Sequence, residues 1–404
     1  MWRYRENPDF FSHCYGDADR LPNGNTLITD GIHYDPDYGR IVEVTPEGEK
    51  VWEVITAPFN QMYRAERIPD LDLSGSSLYN VSGHPIPFTI NVTIWNSERA
   101  YNGMTFFQAK GATYGINMTG HPIWKFPMGK MCEHKLLANG HLFLAGREIR
   151  EIDWNGIEYL TLVDAVNMTN GHHDAIVMPN GNVMYISRYF QEVLRDGVLT
   201  NLLIDLIREV NTTSMEVVWE WDALNHLPVE NFCEFCPKYD WLHCNSITYM
   251  VEDGVKVLYL DVRNTNQILK INYDTKEIMW ALGDNGDFQL FDEYGQEVDS
   301  LFSHQHDPEF LPNGRILLYD NGKHRTGQYG GYSQALELEL DLDSDGDGVT
   351  DRDEALAGTS RYDSDSDNDY WSDGLDFMPL NSMFPNLFMV IPLGLIIILV
   401  YKLK

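Results

Sequence analysis

Apolar and polar residues alternate along most of the first 340 residues in short runs, broken at intervals by Gly, Asn, Asp and Pro. Alternation over a few residues marks a half-buried strand, and an Asn-Gly break between two such runs marks a hairpin. One such hairpin recurs. It reads Asp17-Ala-Asp-Arg-Leu-Pro-Asn-Gly24-Asn-Thr-Leu-Ile-Thr-Asp30, then Glu133-His134-Lys-Leu-Leu-Ala-Asn-Gly140-His-Leu-Phe-Leu144, then His172-His173-Asp174-Ala-Ile-Val-Met-Pro-Asn-Gly181-Asn-Val-Met-Tyr-Ile-Ser-Arg188. A looser copy spans residues 243–263, and the fullest is Phe302-Ser-His304-Gln-His306-Asp307-Pro-Glu-Phe-Leu-Pro-Asn-Gly314-Arg-Ile-Leu-Leu-Tyr-Asp320. A second hairpin follows most copies and usually closes on a tryptophan, as at Trp52, Trp124, Trp219 and Trp280. Four short strands per unit, repeating every roughly 40 to 70 residues, predict an all-β, six-bladed β-propeller rather than a sandwich. The second unit is irregular because residues 63–107 carry an insertion.

The last unit has no closing tryptophan strand, because residues after 340 pass into an aspartate-rich segment. The chain opens, however, on Met1-Trp2-Arg-Tyr4, which reads as the missing strand. Its pairing into the sixth blade would close the ring and remove two unpaired sheet edges.

Strand direction then locates the chemistry. The Pro-Asn-Gly turn reverses the chain, so the start of each first strand and the end of each second strand share one rim. That rim is predicted to hold His134, His172 or His173, Arg188, His243, Arg263, His304 and His306. Imidazoles and guanidiniums gathered at one mouth of a channel bind an anion, and a neutral histidine among them is a nucleophile or general base. Taken singly, each histidine is better explained by capping a loop or a blade end; a basic residue at the same register in four units argues for a shared site.

Composition narrows the class. A chain of 404 residues, 43% hydrophobic and 12% aromatic, buries a large core. A formal charge of -32 argues against a nucleic-acid surface, which needs clustered Lys and Arg. Five cysteines are too few for a disulfide scaffold. Cys233-x-x-Cys236 is a loop disulfide or half of a metal site; with an odd count and no second such pair, the disulfide is the expectation.

Residues 341–380 form a separate device. Asp343, Asp345, Asp347, Asp351 and Glu354, with the carbonyl of Val349 and a Gly at the sixth position, match a twelve-residue calcium loop. Asp365, Asp367, Asp369, Asp373 and Asp376 repeat the spacing, with Tyr370 replacing the glycine. Tandem loops of this kind resemble thrombospondin type 3 repeats and imply structural calcium. Residues 384–401 are about 18 apolar residues, the short end of a membrane span, and Lys402 and Lys404 after them predict a cytoplasmic end and a single-pass anchor over 384–404. The propeller is then expected outside the cell membrane. No signal peptide is recognisable before the first strand, which conflicts with that topology, while Asn-x-Ser/Thr tripeptides at Asn80, Asn91, Asn117, Asn167 and Asn211 favour it.

His172-His173-Asp174-Ala, Asp240-Trp-Leu-His243-Cys-Asn-Ser-Ile, Leu260-Asp-Val-Arg263 and Ser303-His-Gln-His306-Asp with Leu-Pro-Asn-Gly resemble the arylsulfotransferase family. Tyr63-Arg64-Ala-Glu-Arg67 resembles its archaeal-type members. The likeness covers most of residues 1–340. It implies transfer of a sulfuryl group from an aryl sulfate donor to a phenolic acceptor through a sulfohistidine, with no nucleotide sulfate donor. By motif, His306 matches the nucleophile, His243 and Arg263 the residues that bind sulfate and developing phenolate, and His172 or His173 a further pocket histidine. His304, Arg188 and His134 are the expected substrate contacts on the same rim. The additional N-terminal β-domain of bacterial members is missing, and Asp261-Val262 stands where small residues are usual. Two other classes fit less of the pattern: a non-catalytic surface propeller for glycans or anions, and a pyrroloquinoline-type dehydrogenase, whose tryptophan docking motif is lacking.

Overall fold

The protein is described from a computed structural model. It covers residues 2–6, 11–12, 14–34, 37–57, 61–69, 86–128, 133–162, 171–325 and 331–340, with scattered positions between 342 and 380. The chain divides into two compact units, Met1–Leu338 and Glu339–Lys404.

The first unit is built of six antiparallel sheets. Their innermost strands are Asp17–Arg20, Ala65–Pro69, Glu133–Leu136, Gly171–Val177, Cys244–Glu252 and His306–Phe310. Each blade touches the next, and the sixth returns to the first, so the sheets form a closed, propeller-like ring. The expected closing strand is present: Trp2–Tyr4 pairs with Gln334–Leu338, Trp2 opposite Glu337 and Tyr4 opposite Ala335. The insertion also finds a place. Thr89–Trp95 adds a fifth strand to the outer edge of the first blade, beside Lys50–Ala57.

The repeated tryptophans have a common task. Trp52 donates its indole N–H to the carbonyl of Met118 (2.9 Å), Trp124 to Trp154 (3.4 Å) and Trp219 to Tyr273 (2.9 Å). Each acceptor lies in the outer hairpin turn of the following blade, so a buried ring and one hydrogen bond latch successive blades. Trp2 does the same from the sixth blade to the first, donating to the Pro46 carbonyl at 2.8 Å. That bond identifies the N-terminal strand as the sixth blade's own outer strand. Apolar clusters fill the spaces between blades, the largest running from Met184 and Ile204 through Trp221 and Trp241 to Leu258 and Leu269.

The described tail positions are few. Val349 donates its N–H to Asp347 Oδ1 (2.7 Å), and the buried Asp373 accepts from Ser366 N–H (3.0 Å). Asp365 is also described, its carbonyl accepting the N–H of Asn368 (3.0 Å), whereas Asp343, Asp345, Asp351, Glu354, Asp367, Asp369 and Asp376 lie outside the described residues, as does the apolar stretch 384–404. No helix among the described residues is long and apolar enough to cross a membrane.

Candidate functional site

The inner strands of the fourth, fifth and sixth blades do not enter the ring as regular strands. His173, His243, His304 and Asp307 all have positive φ (58°, 57°, 56° and 48°), and the pairing register shifts beside His173, His243 and Asp307. A bulge at a strand's mouth re-aims the side chain that follows, and strain of this sort persists where the surroundings over-determine it. Here buried carboxylates do so. Asp205 accepts the N–H of His243 (3.0 Å) and of Cys244 (3.3 Å), Asp174 accepts that of Ile247 (2.9 Å), and Asp320 those of Ser303 and Gly322 (both 2.9 Å).

The re-aimed side chains form one cluster. His173 Nε2 lies 3.1 Å from His243 Nε2, and the ring of His172 is centred 3.6 Å from that of His173. His306 is centred 6.4 Å from His173, and the Tyr63 ring stacks on His173 at 5.2 Å. His243 Nδ1 is 2.6 Å from Asp240 Oδ2, whose other oxygen meets Arg188 at 3.3 Å. The contacts assign tautomers. With Nδ1–H given to Asp240, His243 offers the lone pair of Nε2 to His173 Nε2–H, and His172 gives its Nδ1–H to the Cys244 carbonyl (3.2 Å).

Burial sets the charge states. His306 is held well below the usual imidazole value by burial, then by the positive charges of Arg263, Arg64 and His243, with Asn321 acting in the opposite sense. His172 and His173 are depressed for the same reason, burial first and neighbouring imidazoles and Arg188 after it. His243 falls to about 4, burial outweighing its bond to Asp240. Burial pushes Asp240 up, but the His243 bond, His243, Arg188 and Arg263 prevail and keep it below the carboxylate range. The site therefore presents neutral imidazoles in the field of the Arg263 guanidinium, which donates to Asn264 Oδ1 at 2.7 Å. Such a set attacks or deprotonates while an anion is held.

Not every expected residue joins this cluster. His306, His243, His173 and His172 come together, the charge of Arg263 acts on His306 and His243, and Arg188 stands behind His243, bound to Asp240. His134 is placed elsewhere: its Nε2 meets Thr113 Oγ1 at 3.0 Å between the second and third blades. His304 turns away from the imidazoles to Cys236, with Nε2 3.2 Å from Sγ. Tyr63, Arg64 and Asp240 belong to the site or its support although the repeat pattern singles out none of them. Arg64 is 1% exposed and bonded to Glu133, to Asp307 (3.0 Å) and to the Asn245 carbonyl (3.1 Å). In the sequence, Tyr63 and Arg64 are pointed to by the segment that resembles archaeal-type members, not by the hairpin repeat.

Among the described residues, three groups place metal-ligand atoms within 4.8 Å of one another: His172, His173 and His243; Asp17, Asp19 and Asp307; and Cys233, Cys236, His304 and His324. Cys14, Cys233, Cys236 and Cys244 are free thiols, so the disulfide expected within Cys233-x-x-Cys236 is not formed.

A family model described as Arylsulfotransferase (ASST) matches residues 77–345, more than half of the chain. No curated protein matches. Among solved structures, a protein of unknown function from Bacteroides caccae is 12% identical, covering 78% of this chain and 90% of its own at a TM-score of 0.45. An auxiliary nutrient binding protein from Bacteroides thetaiotaomicron is 10% identical, covering 82% of this chain and 70% of its own at a TM-score of 0.42.

Proposed function

The chain belongs to the arylsulfotransferase family, and from that premise we propose that it moves a sulfuryl group from an aryl sulfate to a phenol through a covalent intermediate on His306. The observation that carries this reading is the neutral, buried His306 within the field of Arg263 and in one cluster with His173 and His243. A ring nitrogen of His306 attacks sulfur, a sulfur–nitrogen bond forms, and the sulfur–oxygen bond to the aryl group breaks. Arg263 holds sulfonyl oxygens and the departing phenolate's charge. The acceptor phenol then gives its proton to an imidazole of the His173–His243 pair, its oxygen attacks sulfur, and His306 leaves neutral. Arg188 and Asp240 orient His243 rather than touch the reacting atoms.

Calcium is the proposed ligand of the acidic tail, on the chemistry of its donors: carboxylates and carbonyls are the hard oxygen ligands this ion takes. Anchoring by residues 384–404, with the propeller outside the cell membrane, rests on the apolar pattern alone.

A chromogenic aryl sulfate with a phenol acceptor tests the reaction. The wild type is expected to release phenolate and, without acceptor, to carry one sulfo group on His306 detectable by peptide mass. Equal release by His306→Ala removes His306 from that role. If both proteins stay inert across many phenols, the chain is a binding module.

A further inference from the structure

Independently of the sulfuryl transfer, we infer that Cys233, Cys236, His304 and His324 form a closed Cys2His2 zinc site that fastens the loop before the fifth blade to the sixth. The four ligand atoms lie within 4.8 Å of one another. A tetrahedral zinc ion, with bonds of about 2.3 Å to sulfur and about 2.0 Å to nitrogen, needs ligand atoms at most ~4 Å apart, so modest rotations of these side chains complete it. Two thiolates and two imidazoles are also the soft and borderline donors that zinc selects over calcium or magnesium.

The surroundings are those of a ligand set. Cys236 gives its backbone N–H to the Cys233 carbonyl (3.3 Å), a tight turn that brings the two cysteines of the Cys-x-x-Cys segment together. His304 Nε2 stands 3.2 Å from Cys236 Sγ, while its Nδ1 is 3.2 Å from Ser303 Oγ. Ser303 Oγ in turn donates to the carbonyl of Lys323, the residue before His324. One hydroxyl thus orients the first imidazole and holds the turn that bears the second. The two imidazoles meet edge to face at 4.9 Å and 77°, which suits adjacent vertices of one coordination sphere. A disulfide would use the two sulfurs and leave both histidines unexplained; the free thiols fit the metal instead. Binding expels the two thiol protons, and the doubly charged ion with two thiolates is neutral, so it adds no net charge beside Arg263.

The placement gives the ion a purpose. The loop of Cys233 and Cys236 also carries Asp240 and His243, and His304 lies two residues before His306. A single ion would fix the nucleophile's strand relative to the Asp240–His243 pair, with His304 a ligand rather than a substrate contact.

The test uses the full chain, purified under reducing conditions, dialysed and analysed for metal by mass spectrometry. The wild type and Cys14→Ser are expected to retain one zinc per chain, and Cys236→Ser and His324→Ala to lose it. Ser303→Ala, which keeps all four ligands, is expected to bind zinc ~10-fold more weakly. Exchange of cobalt into the wild type should give intense tetrahedral bands with thiolate charge transfer. Absence of stoichiometric metal, recovery of a Cys233–Cys236 disulfide on non-reducing peptide mapping, or a cobalt spectrum without the sulfur signature overturns the assignment. The last outcome would put the ion at the three histidines.

Discussion

Asp240 Oδ2 and His243 Nδ1 are 2.6 Å apart, three residues from each other on one loop, and the pair sets which nitrogen of His243 carries the proton. The carboxylate, held ionised, accepts Nδ1–H and leaves Nε2 as a lone pair toward His173. An amide at this position could present its NH2 group and favour the wrong tautomer. Asp240→Asn is therefore expected to lower kcat by about 100-fold, the lower end of what general acid–base catalysis contributes, with little change in KM. Steady-state kinetics with a fixed donor and varied phenol check it; equal losses from kcat and from binding would make Asp240 merely structural.

The imidazoles work as neutral bases, and this fixes the pH profile. Their depressed values mean that no protonation occurs around 6.5, the ordinary histidine value. Activity should stay level through neutrality and fall only on an acid limb near the value of about 4 held by His243. The same shifts act on stability: the unfolded chain takes up histidine protons as pH drops below 6.5 while the folded chain does not, so each buried imidazole lowers stability from about 6.5 downward. An acid limb centred at 6.5 would mean that the cluster is wet and its histidines exposed.

Much of this ring is legible in the sequence, because strand alternation and Pro-Asn-Gly turns are local signals. Trp2 could be matched to the sixth blade by its likeness to Trp52 and Trp124, and the rim histidines followed from strand direction. What stayed hidden is non-local. His134 shares the register of the pocket histidines, but its strand lacks their bulge, and the ring points between blades at Thr113. Whether His304 faces substrate or Cys236 depends on a loop some 70 residues earlier in the chain. Tyr63 and Arg64 lie in an irregular approach to a strand, where no periodicity marks a side chain as inward.

Ring closure can be tested at Tyr4. This side chain is 6% exposed and packs with Val42, Val44 and Leu317, joining the sixth blade to the first. Tyr4→Ala should cost about 3 kcal/mol, the lower range for deleting a buried aromatic ring. Denaturant unfolding measures it. A loss under about 1 kcal/mol, the scale of a surface substitution, would show that the N-terminal strand does not hold the ring shut.

Arg64 neutralises two carboxylates in the channel. Burial pushes Glu133 up, but Arg64 and Lys135 overcome it and hold Glu133 at about 2; Asp307, with burial dominant, stays at about 6. Arg64→Met strands both acids and is expected to destabilise by about 3–5 kcal/mol at neutral pH. For Glu133 the sign is that of a depressed acid: its contribution is present above about 4.5 and lost as pH falls toward 2. The deficit of the variant should therefore shrink in acid, which paired unfolding curves at pH 7 and pH 4 would reveal; a deficit independent of pH would point to packing alone.

Tyr63 divides into a ring and a hydroxyl that do different things. The ring stacks on His173 with a 17° tilt and meets His306 edge-on at 6.4 Å, so it limits how both imidazoles rotate. The hydroxyl is buried and finds no hydrogen-bond partner among the described residues, within the cluster that holds the reacting groups. A buried hydroxyl left in that state costs about 1–3 kcal/mol, which a bound sulfonyl or phenol oxygen would offset. Tyr63→Phe keeps the stacking and should leave the protein as stable as the wild type or more so, while raising KM for donor or acceptor about 10-fold. Tyr63→Ala should in addition lower kcat, because His173 and His306 lose the surface that orients them. Kinetics and melting curves of the two variants separate the roles: unchanged KM in Tyr63→Phe would show that the hydroxyl never meets substrate and that the ring alone matters.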